Sequence, residues 1–296
     1  MIDPDALGLT REVVATPLGP VVVRTGRRTG AVATVLLHGA AGSWTTWAPL
    51  LAADPTIPDV VAPDLPGWGE SAAPARPADV EAVSSAVAGV ARALGYERWT
   101  VLGHSLGGFV ALDLAAREPG ATVAVGLVSP TGAAVVDAIR RPLRGGLRLP
   151  WFAGMLLAMR ALAALPRSGR GLLRLLARLG LLRPLAAPLF ADVARVDEAV
   201  IAALADEIRP VPFLLATRAA AAYDLATWRR VRCPVRSVRG ARDVFVGAGD
   251  GAALAALLPD GAELVLQGAG HFAAVERPDA VLRFLGPDRI VTERRE

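Results

Sequence analysis

Ser105 lies at the centre of Gly103-His104-Ser105-Leu106-Gly107, a serine with a glycine two residues to either side. An apolar run over 99–102 precedes it and an apolar, alanine-rich stretch over 109–118 follows it. The pattern predicts a short buried strand that turns sharply into a helix. Such a turn holds its serine at a strained tip, and the flanking glycine positions must lack bulk so that strand and helix can approach. The free N–H groups of the helix then point at the serine oxygen and favour negative charge there. A hydroxyl so placed can serve as an acyl-transfer nucleophile when a base takes its proton, a third group orients the base, and donors receive the oxyanion.

The sequence has three histidines. His104 precedes Ser105 in the strand and, on alternating geometry, points away from it. His38 stands ahead of a turn of small residues, Gly39-Ala40-Ala41-Gly42. His271 remains, in a glycine-rich turn near the end of the chain, and is the expected base. For the orienting acid, Asp243 lies three residues past Gly240, beyond an apolar strand over 235–238. Asp250 is its rival in the same loop, but it stands just ahead of a predicted helix and reads as an N-cap.

These side chains need elements to hold them. Residues 12–16 and 21–25 are β-rich runs around Pro17-Leu-Gly-Pro20 and predict an antiparallel hairpin at a sheet edge. The continuous apolar run 33–37 predicts a strand covered on both faces. A helix over 47–53 and a strand over 59–62 follow. Residues 79–94 predict a helix capped by Asp79, with Val80, Val83, Val87, Val90 and Leu94 on one face. Beyond the serine turn come a strand over 122–128, then, after an interruption, a strand over 235–238, a helix near 250–258, a strand over 263–266 and a helix over 274–285. The alternation predicts an α/β fold, a mostly parallel central sheet flanked by helices. The interruption, roughly 133–228, reads as helical segments broken by prolines, and its expected place is over the C-terminal strand ends, where ligands bind in such sheets.

At 296 residues and 53% hydrophobic, the chain can bury a substantial core. It has no lysine, so all 32 positive charges are arginine. That bias, with a formal net charge of only +4, carries no implication of nucleic-acid binding. The single cysteine, Cys233, precludes an internal disulfide and is expected to be a buried structural thiol. Residues 1–9 carry Asp3 and Asp5 and no apolar run, so no secretory signal is read and a cytoplasmic location is expected. There is no H-E-x-x-H, no cysteine pair and no lysine for a phosphate-cradling loop, so neither a metal nor a cofactor is expected.

The serine turn, with His38-Gly39, Asp64-Leu-Pro-Gly-Trp-Gly69, Gly240-Ala-Arg-Asp243 and Gly270-His271-Phe272, resembles the α/β-hydrolase family in order and spacing over about residues 11–286. The resemblance implies a core of residues 1–132 and 223–296, with 133–222 as an inserted helical cap or lid. It implies a Ser105, Asp243, His271 triad in that chain order and an oxyanion hole from the backbone N–H groups of Ala40 and Leu106. The Asp64 turn is expected to be structural. Some members carry the acid after the preceding strand, where this sequence has Ser129-Pro-Thr-Gly132 without a carboxylate.

The resemblance implies a serine hydrolase acting on an ester or related acyl bond. Serine rather than aspartate at the turn argues against epoxide hydrolysis and dehalogenation. Three alternatives stay open: a carbon-carbon bond hydrolase of ring-cleavage products, whose relatives carry asparagines absent here; a cofactor-free perhydrolase; and a ligand-binding member without turnover.

Trp44, beside the oxyanion turn, is an expected pocket residue. In the expected cap, Trp151, Phe152, Met155, Leu156 and Met159 fall in one predicted helix, and 152, 155, 156 and 159 share a face. That face either packs within the cap or roofs the pocket, and it predicts a mostly apolar small-molecule substrate. Residues 138–191 contain ten arginines and no acid, so this segment carries +10 and the rest of the chain −6. An inward arginine would hold a substrate carboxylate. An outward set would make a peripheral membrane face, although an arginine-decorated lid whose apolar faces cover the pocket is the arrangement expected. Residues 149–165 are too short for a comfortable span and are interrupted by Arg160.

Overall fold

The computed structural model describes residues 2–258, 260–286 and 290, with the side chains of 166–170 outside the description. Eight strands form one sheet: β1 (Leu9–Thr16), β2 (Gly19–Gly26), β3 (Val32–Leu37), β4 (Val60–Pro63), β5 (Arg98–His104), β6 (Thr122–Val128), β7 (Val235–Gly240) and β8 (Ala262–Leu266). Their order across the sheet is β1-β2-β4-β3-β5-β6-β7-β8. The edge hairpin pairs Leu9 with Gly26 and Thr16 with Gly19, and β2 runs antiparallel to β4. From β4 to β8 every pairing is parallel.

The continuous apolar runs of β3, β5 and β6 are buried on both faces, as parallel strands under two helical layers must be. On one face Val35, Leu37, Trp99 and Val101 meet helices α2 (Val80–Ala93) and α3 (Leu106–Arg117). On the other, Leu36 and Leu102 meet α1 (Ala48–Ala53) and two helices near the end of the described chain. Asp79 caps α2 by accepting from the Ala82 N–H at 2.7 Å.

Between β6 and β7 the chain leaves the sheet and forms seven helices: α4 (Ala133–Arg140), α5 (Pro142–Arg148), α6 (Pro150–Ala163), α7 (Pro166–Arg178), α8 (Leu182–Ala186), α9 (Glu198–Glu207) and α10 (Pro210–Ala222). Pro142, Pro150, Pro166 and Pro210 each open a helix, where a missing N–H costs no hydrogen bond. These prolines therefore divide the insertion into short helices. Among the described residues, no helix is long and apolar enough to cross a membrane.

After β7 come α11 (Ala248–Leu257), α12 (Ala273–Glu276) and α13 (Pro278–Leu285). Four local expectations need correction. The single final helix is two, because Pro278 takes Arg277 out of helical geometry, to φ −139° and ψ 54°. The helix expected from Trp47 begins as a 3₁₀ turn, Trp44–Trp47. Asp250 is not the N-cap of α11 but sits one turn in, accepting from the Gly247 N–H at 3.1 Å and from Ala134 of α4 at 2.8 Å. Cys233, just ahead of Pro234 and β7, is half-buried rather than buried.

Candidate active site

β5 lies mid-sheet between β3 and β6, and Ser105 follows its last residue. The serine has φ 51° and ψ −117°, a backbone that L residues avoid. Backbone bonds hold it there: its N–H donates to Val128 at 3.0 Å, and its carbonyl accepts from Gly108 at 3.0 Å, Phe109 at 3.2 Å and Thr131 at 3.0 Å. A Cβ on Gly103 would come within 2.5 Å of the Gly107 carbonyl oxygen, and one on Gly107 within 2.1 Å of that of Leu37. The glycine spacing is thus a steric requirement, and the surroundings impose the strain at Ser105. Leu106 is the first residue of α3, so its N–H has no acceptor within the helix.

His271 sits in the turn between β8 and α12, with its Nδ1 3.0 Å and 3.1 Å from the two Asp243 carboxylate oxygens. Asp243 follows β7 and also accepts from the N–H groups of Phe245 at 2.9 Å and Val246 at 3.1 Å. Burial pushes its carboxyl up, but the facing His271 and the Phe245 N–H outweigh burial, and the net effect is to hold it below the usual carboxylate range. An ionised carboxylate on Nδ1 keeps the imidazole proton on that nitrogen and leaves Nε2 basic. The turn itself is tied down: the His271 N–H donates to Leu189 at 2.8 Å, and the Gly270 N–H donates to Glu276 at 2.6 Å.

His104 is nearer this centre than strand alternation suggests. Its ring centroid is 5.0 Å from that of His271, and its Nε2 donates to the His271 carbonyl at 3.0 Å. It lines the same cavity as Ser105, on the side over which the His271 turn folds. Burial, then the neighbouring His271, lowers its pKa to about 3, so it is a neutral brace for that turn.

On the opposite side, His38 donates from Nδ1 to the Gly39 carbonyl at 2.7 Å and accepts at Nε2 from Leu65 at 2.9 Å. Burial lowers its pKa, and it ties the ends of β3 and β4 together. Asp64 accepts from Trp44 at 2.9 Å and Glu70 at 2.8 Å, so its turn is structural. A Cβ on Gly39 would come within 2.9 Å of both His104 Nδ1 and Ser105 Cβ. The turn after β3 therefore lies against the serine, and Ala40 and Leu106 both line the cavity in front of it. Trp44 does not. The 3₁₀ turn capped by Ser43 buries it beside Leu36 and Leu50, with the Arg24 guanidinium 5.3 Å above its ring.

A family profile described as the alpha/beta hydrolase family matches residues 34–284. The chain belongs to that family. Over 113 residues it is 39% identical to a dihydrolipoyllysine-residue acetyltransferase component of an acetoin cleaving system from Cupriavidus necator, a match covering 37% of this chain and 30% of that protein. The chain thus spans less than a third of that relative's length. Among solved structures, a putative lipase from Acinetobacter baumannii AYE aligns with a TM-score of 0.72 over 94% of this chain and 90% of that one, at 20% identity. A thermophilic esterase from Thermogutta terrifontis aligns with a TM-score of 0.69 over 93% and 96%, at 21% identity. At such identities the likeness is one of fold.

In this alpha/beta hydrolase the cavity before Ser105 and His271 has a volume of about 590 Å³, within the usual range for small-molecule sites. Helices of the insertion form its far wall, and Trp151, Phe152, Met155 and Met159 of α6 all line it, whereas Leu156 is buried without lining it. Apart from the Trp151 indole, its only polar side chains among the described residues are His104, Ser105, Thr131, Thr217 and His271. None of the described lining residues is an arginine or an acid. The arginine-for-carboxylate arrangement finds no residue there.

Glu207, the last residue of α9, does not line the cavity but holds the stretch beside it, and the sequence reading passes over it. It is buried, and its Oε1 accepts from the Ser43 hydroxyl at 2.5 Å and from the Thr45 hydroxyl. Both partners belong to the stretch that continues from Ala40. Burial pushes its carboxyl up to about 7; the two hydroxyls oppose the rise, and Asp64 and Asp206 add to it. The signal was present: Ile201, Leu204 and Glu207 recur at three-residue spacing, so an acid falls on a buried helix face.

Proposed function

We propose that the protein is a serine hydrolase that cleaves esters of mostly apolar acyl or aromatic groups through an acyl-enzyme. The observation that carries this reading is an almost wholly apolar cavity of about 590 Å³ that ends on Ser105 and on a histidine whose Nδ1 is held by a buried carboxylate. In the proposed cycle Ser105 Oγ attacks the ester carbonyl carbon while His271 Nε2 takes its proton. The imidazolium is stabilised by Asp243, and the oxyanion is received by the N–H groups of Ala40 and Leu106, each worth about 3–4 kcal/mol to the transition state. The tetrahedral species collapses, the alcohol leaves with the proton from His271, and water repeats the sequence on the acyl-enzyme. Residues 133–222 act as the cap, supplying the apolar wall that selects the acyl group.

The test is hydrolysis of p-nitrophenyl esters of increasing chain length by wild type and Ser105→Ala. Medium-chain or aromatic esters are the expected substrates, and the variant should retain only the roughly 10³–10⁴-fold over water that binding and the oxyanion donors supply. Near-wild-type turnover by the variant would refute the assignment.

A further inference from the structure

Among the described residues, every markedly exposed large apolar side chain except Val13 lies in the helical insertion. Leu143 (90% exposed) and Leu147 (87%) stand one turn apart on α5; Trp151 (57%) lies in the first turn of α6; Leu172 and Leu175 lie on α7 and Leu179 just past its end; and Leu185 (63%) lies in α8. Helices α5, α6, α7 and α8 each pack on the next, and each carries at least one of these side chains on its solvent side.

The same helices hold the arginine excess. Asp137 alone faces Arg141, Arg144 and Arg148, at 3.3, 3.9 and 4.0 Å. Arg174 pairs with Asp206 at 3.0 Å, whereas the exposed Arg160 and Arg178 have no ion-pair partner among the described residues. A face with leucines almost wholly in water, set among unneutralised arginines, has the composition of helices that lie in a bilayer interface. A second copy of the chain is a poor occupant, because it would set a segment of +10 against another of +10.

We propose that the outer face of α5 to α8 docks the protein on an anionic lipid surface, its leucines and Trp151 at the acyl boundary and its arginines at the phosphates. Trp151 and Leu185 belong both to this face and to the lining of the cavity, so the proposed docking surface and the cavity wall share these two residues. An apolar ester would pass from lipid to Ser105 without crossing water. That consequence rests on the ester-hydrolase reading; the docking does not.

The test is flotation of the full chain with phosphatidylcholine vesicles, with and without phosphatidylglycerol. Binding to the anionic vesicles is expected to exceed binding to the neutral ones by about tenfold or more and to be released by about 0.5 M salt. Arg160→Gln with Arg178→Gln should weaken it about 30-fold, at about fivefold per arginine. Leu143→Ser with Leu147→Ser should weaken it by about tenfold or more. Both double variants should hydrolyse a short, water-soluble ester as wild type does. Absence of anionic-vesicle binding, equal binding by wild type and both double variants, or a stable dimer through this face in place of vesicle binding would each overturn the proposal. Ser105→Ala protein should float as wild type does, so docking is scored whether or not the ester reading survives.

Discussion

Replacing Glu207 with glutamine should remove a pH dependence of stability that the wild-type protein carries between about pH 4.5 and 8. Folding raises this carboxyl from its ordinary 4.5 to about 7, chiefly by burial. The folded state therefore binds the proton more tightly than the unfolded chain does, and the stabilisation is fully present below the unfolded pKa and lost as pH rises through the folded one. At about 1.4 kcal/mol per pKa unit the shift amounts to about 3 kcal/mol. The substituted amide stays neutral throughout, and its carbonyl oxygen can accept from Ser43 and Thr45 as the protonated acid does. Asp250 is also raised by burial but is present in both proteins and cancels in the comparison, whereas Asp64, one of the charges that raises Glu207, makes the difference report the coupled pair. Urea unfolding of the two proteins at both ends of this window measures the difference. Wild type should lose about 3 kcal/mol more than Glu207→Gln on going from low to high pH, equivalent to roughly 6–12 °C in Tm. Equal losses would show that Glu207 does not titrate near neutrality and that its burial does not control it.

Two further substitutions test the catalytic roles proposed for Asp243 and for the turn bearing Ala40. Asp243→Asn keeps the side-chain shape but offers the imidazole no charge and can stabilise the wrong tautomer; kcat on the best ester should fall about 10⁴-fold with KM little changed, as steady-state kinetics will show. Gly39→Val places a side chain where Cβ alone comes within 2.9 Å of His104 and Ser105, so the turn carrying Ala40 must move; kcat should fall about 10²–10³-fold, the effect of losing one oxyanion donor, in a protein whose circular dichroism is unchanged.

What the sequence reveals follows the range of the interactions concerned. The serine turn is legible because its constraints are local and steric: Gly103 and Gly107 meet backbone within the same few residues or on the adjacent strand. The parallel strands are legible because burial on both faces leaves no polar alternation in residues such as Val35, Leu36 and Leu37. Trp44 is not, since adjacency to the turn after β3 says nothing of which way a 3₁₀ turn rotates its indole. Pro278 carries its own signal, and reading 274–285 as one helix underweights the restriction it places on Arg277. The role of His104 depends on a turn that lies 167 residues downstream. Glu207 meets Ser43 across 164 residues, and only the fold brings them together.

That last contact bears on how the insertion and the sheet work as one unit. His38 and Asp64 hold the stretch after β3 from the side of the sheet, through bonds to Leu65, Trp44 and Glu70 that do not involve the insertion. Glu207 holds the same stretch from the opposite side, and it does so only while α9 is seated and the carboxyl is out of water. A buried acid with a pKa near 7 is costly to keep ionised, so the seated arrangement is favoured by protonation and weakened as the group loses its proton. Ser105 and Asp243 follow strand ends, whereas the His271 turn is tied to the insertion by its N–H bond to Leu189 and by Phe272, which packs with Leu204 of α9. The stretch that continues from Ala40 has its own side-chain tie to the insertion, Glu207 of α9, a helix that itself lines the cavity through Leu204, so on the proposed mechanism the wall of the cavity and the stretch leading from an oxyanion donor share one helix.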